Sequence, residues 1–178
     1  MRPGKMKQPR CRRRVPARRG VPALILALLW LAPAAPAARA ADALLLDGGK
    51  GGLEPSGHLE QLHLDREQPL PVDEVIGREG WQPADDHVNL GLSRDHWWFR
   101  LPVRNPGAEP AERLLEIGYP SLDQVDVYSV QNGKVVARYR MGDHRPFHER
   151  PVAHRFFVAP LDWPAETTRT LYIHVHST

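Results

Sequence analysis

Short hydrophobic runs alternate with turn residues from Leu59 onward, and no stretch keeps a 3.6-residue period for three turns. An alternation with a period of two is typical of strands that bury one face. Residues 59–64 fit a weak strand or a short helix. The pattern predicts further strands at residues 97–103, 114–117, 124–130, 134–139, 154–159 and 170–176.

Turn chemistry supports this assignment. Asn132-Gly133 lies between two Val-rich runs and predicts a two-residue type I′ hairpin, because both central residues of that turn need a positive φ. Pro102 has no N–H for a ladder hydrogen bond, so it favours a sheet edge or a bulge. The pattern therefore predicts an all-β fold, specifically an antiparallel β-sandwich of jelly-roll type.

The chain before residue 59 differs in composition. Residues 1–20 are rich in Arg, residues 21–32 are apolar, and Ala38-Arg39-Ala40 follows them. This order is that of a secretory signal peptide, and an apolar run of about a dozen residues is shorter than the roughly 20 that span a bilayer. We expect residues 1–40 to be a signal peptide and the Gly-rich residues 41–58 to be a flexible lead-in.

Charge and cysteine content exclude several kinds of function. The chain has a formal net charge of +3, but ten of its 24 Lys and Arg residues lie in residues 1–40, where no acidic residue occurs. The exported part is therefore acidic, which argues against nucleic acid as a partner. The only cysteine, Cys11, also lies in the leader, so the exported part has no disulfide, thiolate metal site or cysteine nucleophile.

Three groups of motifs follow one another along residues 59–178. The first group is Asn89-Leu90-Gly91-Leu92-Ser93, Trp97-Trp98-Phe99-Arg100 and Asn105. The second group is Leu115-Glu116-Ile117-Gly118-Tyr119-Pro120, Leu122-Asp123-Gln124-Val125 and Tyr128. The third group is Gly142-Asp143, Pro146-Phe147, Arg150, His154-Arg155-Phe156 and Leu171-Tyr172-Ile173. In this order they resemble the type-2 extracellular sensor domain of bacterial seven-transmembrane receptors with diverse intracellular signalling modules (7TMR-DISM).

The resemblance implies a periplasmic β-sandwich similar to carbohydrate-binding modules. In such receptors this domain precedes seven membrane helices and a cytoplasmic output, such as a diguanylate cyclase or a histidine kinase. We therefore expect residues 59–178 to be the sensor domain, truncated at its C-terminal end. The chain would be the input fragment of a receptor, and the full-length parent receptor would be tethered to the membrane. The alternatives are a protein–protein interaction or homodimerisation module and a free-standing secreted carbohydrate-binding protein.

Strand alternation selects the candidate ligand residues. Trp98, Arg100, Tyr172 and His174 should share the sheet face opposite the core. An aromatic ring can cover the apolar face of a sugar while polar groups bind its hydroxyls, so this face is a candidate carbohydrate site. In the alternative arrangement, Trp98 packs under a loop and Arg100 pairs with an acid such as Asp95 or Asp123.

The polar segment at residues 142–150 supplies two more candidates. Arg145 and Arg150 could bind a carboxylate, including one on an acidic sugar. Equally, Arg150 and Asp143 could hold this loop together.

All nine histidines lie in the exported part, which allows a metal site or a response to pH. No HExxH motif and no calcium loop pattern supports a metal at His174-x-His176, at Asp85-Asp86 or at Asp123 with Asp126. Ser93-Arg94-Asp95-His96 lacks a nucleophile elbow. We predict no catalytic residue, no metal and no cofactor in this chain. Any catalytic output would lie in a cytoplasmic domain outside it.

Overall fold

The computed structural model describes residues 42–49, 51–65, 69–85, 88 and 93–177. The predicted signal peptide lies outside these residues, as does most of the Asn89–Ser93 motif. The described elements are β1 (Leu44–Leu45), β2 (Glu60–Leu64), α1 (Val72–Ile76), β3 (Gln82–Pro83), β4 (His96–Arg104), β5 (Ala111–Ile117), β6 (Gln124–Gln131), β7 (Lys134–Met141), β8 (Phe157–Trp163) and β9 (Thr168–His176).

The strands form two sheets. The larger sheet has seven strands in the order β3-β2-β4-β9-β6-β7, with β1 added beside β4. The second sheet contains β5 and β8. Every pairing is antiparallel except the short one between β1 and β4. The prediction of an all-β, antiparallel sandwich is confirmed, and the jelly-roll topology stays a prediction.

The main core lies between the two sheets. Phe99 of β4, Val127 of β6 and Ile173 of β9 project from the larger sheet and pack against Phe157 and Ala159 of β8. A neighbouring cluster extends this core through Leu101, Leu171 and Trp163. These residues follow the predicted alternation, because side chains two apart on a strand lie on the same face.

The outer face of the larger sheet is also covered. Leu70, Val75 and the surrounding segment pack over Trp98, Tyr128 and Tyr172. Sequence analysis missed α1, because its five residues are too short to establish a helical period. The larger sheet is therefore buried on both sides over much of β4 and β9.

The hairpin predicted at Asn132-Gly133 is confirmed, since the two residues have φ values of 52° and 72°. Pro102 lies in a central strand rather than at an edge. Its neighbour β2 pairs only as far as Arg100, and the pairing with β1 starts at Val103. Pro102 thus occupies a gap between two partner strands, where a missing N–H costs no ladder hydrogen bond.

Two segments differ from the sequence-based expectation. Leu44–Leu45 of the lead-in pairs with β4 and Leu46 is buried, so this part is held against the sheet. The strand predicted from residue 154 begins at Phe157 instead. Before it, the His154 backbone N–H donates to the Val152 carbonyl oxygen, and the His154 carbonyl oxygen accepts from Arg150, so these groups are used in a turn.

Candidate functional site

Three of the predicted ligand residues are buried. Trp98 is 1% exposed, Tyr172 is 5% exposed and His174 is 2% exposed. The hydroxyl of Tyr172 donates to the carbonyl oxygen of Ile76 at 3.3 Å, and burial raises the pKa of this hydroxyl above its usual value. In this structure Trp98 and Tyr172 pack against α1, His174 contacts His96 and Trp98, and none of the three offers a ring face to a ligand.

Arg100 lies at the border of the same packed region. Its Nε donates to the carboxylate of Glu60, and its guanidinium lies 4.7 Å from the centre of the Trp81 ring. An acid partner was one of the sequence-based alternatives. The partner comes from β2, not from Asp95 or Asp123, because the register places Glu60 directly opposite Arg100.

The two arginines of the 142–150 segment have different surroundings. Arg145 is partly exposed and its Nη1 lies 3.6 Å from Glu149 Oε2. The Nη1 of Arg150 donates to the carbonyl oxygens of His154 and Arg155 at 2.8 and 3.2 Å. The Arg150 guanidinium also stacks over Phe147 and Phe157. Arg150 therefore holds this loop against β8, whereas Arg145 remains accessible.

A large cavity opens between the two sheets. Its volume is about 750 Å³, and its lining includes Phe99, Leu101, Leu115, Ile117, Leu122 and Ile173. The cavity is bounded by β5 and not by β8, so it lies where the two-stranded second sheet stops covering the larger one. Cavities of 300–1,000 Å³ with mostly apolar walls are typical of small-molecule sites.

Polar groups meet at one side of this cavity. The hydroxyl of Ser93 donates to Asp95 Oδ2 at 2.9 Å, and the same oxygen lies 2.8 Å from His63 Nε2. These contacts, with the one from His63 the largest, hold the pKa of the Asp95 carboxyl below its usual value. Trp97 stacks on His63 at a centroid distance of 4.4 Å and donates from Nε1 to the Ser93 hydroxyl at 3.4 Å.

This Ser, Asp and His arrangement does not form a catalytic triad. Both Ser93 and His63 contact Asp95, whereas a triad needs the histidine between the carboxylate and the serine. Ionised Asp95 can instead accept hydrogen bonds from a ligand that enters the cavity.

Sequence analysis did not select Trp97 or Tyr119 as site residues, although both line the cavity. Trp97 lies on the same face of β4 as Phe99, and the sequence pattern assigns that face to the core. Alternation predicts which way a strand residue faces. It does not predict whether the facing sheet reaches that residue.

Asp123, Asp143 and His144 form the group of possible metal-ligand atoms found among the described residues. His144 Nε2 lies 3.4 Å from Asp123 Oδ1, so a direct contact already brings two of the three groups together. The side chains of Asp143 and His144 are exposed. The prediction that no metal is bound stays a prediction.

The described part of the chain has no helix long and apolar enough to cross a membrane. The described residues form an all-β fold with a cavity between its two sheets. The sequence matches the family described as 7TMR-DISM extracellular 2 over residues 56–178, and the chain belongs to this family. It is thus an extracellular sensor domain of the kind found in these receptors, which implies an exported, periplasmic location. A comparison with curated proteins gives no significant match.

Proposed function

We propose that this domain senses a small molecule that binds in the cavity between the sheets. The domain would act as the N-terminal input of a seven-transmembrane receptor whose output is an enzyme such as a diguanylate cyclase or a histidine kinase. The observation that carries the proposal is the 750 Å³ cavity with apolar walls and the ionised Asp95 at one side. A ligand would shift the receptor by binding one of its conformations more tightly than the other.

The walls of the cavity favour a ligand with an apolar face and several hydroxyls, and a carbohydrate meets this description. Trp97 and the 62%-exposed Tyr119 supply aromatic rings at the cavity, while Ser93 and Asp95 supply polar atoms. Sugars are held by this combination of ring stacking and hydrogen bonds. Carbohydrate is also the ligand class predicted from the sequence, although the residues that would bind it here are different ones.

The second possible location of the ligand is the outer face of the larger sheet, at Trp98, Arg100, Tyr172 and His174. A ligand would reach Trp98 and Tyr172 only after the segment around α1 moved away from the sheet, since that segment packs over them. Arg145 and Arg150 belong to neither location, because Arg150 is engaged by the backbone of its own loop and Arg145 does not line the inter-sheet cavity.

The experiment compares two tryptophan substitutions on adjacent residues of β5. Leu115 lines the cavity, whereas Leu114 points outward and is 67% exposed. Leu115→Trp should place a larger side chain in the cavity and obstruct ligand binding, and Leu114→Trp should leave the cavity open. Thermal unfolding of the wild-type protein and both variants would be measured against a panel of monosaccharides, oligosaccharides and phenyl glycosides.

A ligand present at 100 times its Kd stabilises the native state by about 2.7 kcal/mol, which raises Tm by roughly 5–11 °C for a domain of this size. We expect such a rise in the wild-type protein and in Leu114→Trp, and its loss in Leu115→Trp. A rise that survives in Leu115→Trp but disappears in folded Trp98→Phe would move the site to the outer face. The absence of any saturable rise across the panel would remove carbohydrate as the ligand.

A further inference from the structure

Three strands of the larger sheet bring a group of titratable side chains together on the outer face of that sheet, the face that carries Trp98. His96 of β4, His174 of β9 and Asp126 of β6 are all buried. His96 Nδ1 lies 3.0 Å from His174 Nε2, and His174 Nδ1 lies 3.9 Å from Asp126 Oδ2. His176, which is partly exposed, stacks on the His96 ring at a centroid distance of 4.3 Å.

The order of these groups dictates where the protons lie. A hydrogen bond between two imidazoles needs one proton between the nitrogens. If that proton were on His174 Nε2, neutral His174 would turn a bare Nδ1 toward the Asp126 carboxylate. The favoured arrangement therefore has a proton on Nδ1 of each ring, so that His96 donates to His174 and His174 faces Asp126 with an N–H.

The number of hydrogen atoms that fit between the two rings limits how many protons the His96–His174 pair can accept. One extra proton leaves a single hydrogen atom between the two rings, so the contact survives. A second extra proton places N–H groups on both sides of the 3.0 Å contact and two positive charges in a buried site. The contact between β4 and β9 side chains must then open.

We propose that the His96–His174 pair is a proton-responsive contact, through which acidification of the periplasm changes the packing of Trp98 and the end of β9. The centroids of the Trp98 and His174 rings are 4.9 Å apart, so a movement of His174 changes the packing around the Trp98 ring. His176 follows two residues later and lines both the inter-sheet cavity and a surface cavity beside Gln124.

The charged and titratable groups around the pair come from every packed element. They are Asp126 and Tyr128 from β6, Arg138 and Arg140 from β7, His176 from β9 itself, and Asp95 next to β4. Arg138 Nη2 lies 3.6 Å from Asp126 Oδ1 and already offsets that negative charge. Asp126 is therefore not free to neutralise a doubly protonated pair, which is why the second proton opens the contact.

The first test uses the wild-type protein and needs no ligand. Nitrogen-15 NMR of the histidine rings, recorded from pH 8 to pH 5, distinguishes the two tautomers and the charged form. We expect Nδ1–H tautomers for His96 and His174 at pH 8, retention of their shared hydrogen bond when one ring is charged, and its loss when both rings are charged. The indole N–H signal of Trp98 should shift over the same pH range. An Nε2–H tautomer at His174, or a Trp98 signal that does not change with pH, would overturn the proposal.

The second test uses matched variants. His174→Gln should abolish the pH-dependent shift of the Trp98 signal, whereas His154→Gln, which alters a histidine on a distant loop, should leave the shift unchanged. A shift that persists in folded His174→Gln would contradict the proposal. Since the wild-type spectra test the same contact, the proposal remains falsifiable even if His174→Gln does not fold.

Discussion

Adjacent tryptophans at positions 97 and 98 face opposite sides of the larger sheet and serve different purposes. Trp97 is partly buried and lines the inter-sheet cavity, whereas Trp98 is almost completely buried against Tyr128 and His174. The alternation along β4 separates them, because consecutive strand residues point to opposite faces. Their substitution should therefore separate stability from ligand binding.

Trp98→Ala should reduce the free energy of unfolding by about 3–5 kcal/mol, since it removes a buried aromatic side chain and leaves a cavity. Trp97→Ala should cost less, because its ring is already partly in contact with solvent. Urea unfolding followed by far-UV circular dichroism measures both losses. Equal losses for the two variants would mean that Trp98 is not packed as described.

The lowered pKa of Asp126 determines how acid should change the free energy of unfolding. Burial by itself would raise the pKa of this carboxyl, but the nearby His174, a hydrogen bond from Gln124 and the charge of Arg138 outweigh it, so the pKa lies below the ordinary value of 3.8. A carboxyl with a lowered pKa stabilises the fold above its unfolded-state pKa, and this contribution is lost as pH falls through the folded-state pKa.

The stability advantage of the wild-type protein over Asp126→Asn should therefore be full above about pH 4 and shrink at lower pH. Urea midpoints from pH 7 to pH 2 measure this difference. Asp162→Asn, a change at an exposed acid, serves as the control and should give nearly the same profile as the wild-type protein. An advantage of the wild-type protein that grows below pH 4 would contradict the assigned sign.

At the scale of elements, the connection after β7 is set by one glycine. Gly142 has a φ of 133°, a conformation that residues with a side chain rarely adopt, and a Cβ at this position would overlap the backbone of Asp123. The neighbouring Asp143 N–H donates to the Leu122 carbonyl oxygen at 2.9 Å. The chain leaving β7 is thus pressed against the chain entering β6.

Gly142→Ala should lower the free energy of unfolding by at least about 1–3 kcal/mol, because the substitution adds both backbone strain and a clash. Gly48→Ala is the matched control, since a Cβ there meets nothing within 4 Å, and its effect should stay within about 0.5 kcal/mol. Chemical denaturation of both variants provides the comparison. A Gly142→Ala protein as stable as the Gly48→Ala protein would mean that the two chain segments can separate freely.

The elements also show what the sequence could and could not predict. The strands and the Asn132-Gly133 turn were predictable, because period-two alternation and positive φ are local properties. The cover over Trp98 was not, since it depends on where residues 70–81 fold back, and the short α1 gives little local signal. The cavity was not predictable either, because it results from the unequal widths of the two sheets.

At the scale of the whole molecule, the edges of the larger sheet determine its tendency to associate. Among the described residues, β7 pairs only with β6, and its other edge has no strand partner. Val135 and Val136 are exposed on this strand, and the exposed basic residues Lys134 and Arg140 lie near its two ends. Charged side chains on an edge strand oppose pairing with another copy, because like charges would face each other.

We therefore expect the wild-type domain to be monomeric at micromolar concentration and the double variant Lys134→Thr/Arg140→Thr to associate. Sedimentation velocity over a concentration series measures both. Arg78→Thr/Arg155→Thr removes the same charge at exposed residues outside β7 and controls for net charge. A stable wild-type dimer would favour the alternative function, in which this domain is a dimerisation module.

The position of β9 in the larger sheet also determines when that sheet can close. β9 is the last of the described strands along the chain, yet it lies between β4 and β6 and supplies hydrogen bonds to both. Neither half of the sheet has its central partner until residues 168–176 are present, and such long-range pairing folds slowly. The larger sheet therefore cannot close until β9 is available, so residues exported ahead of β9 would reach the periplasm before this sheet has formed.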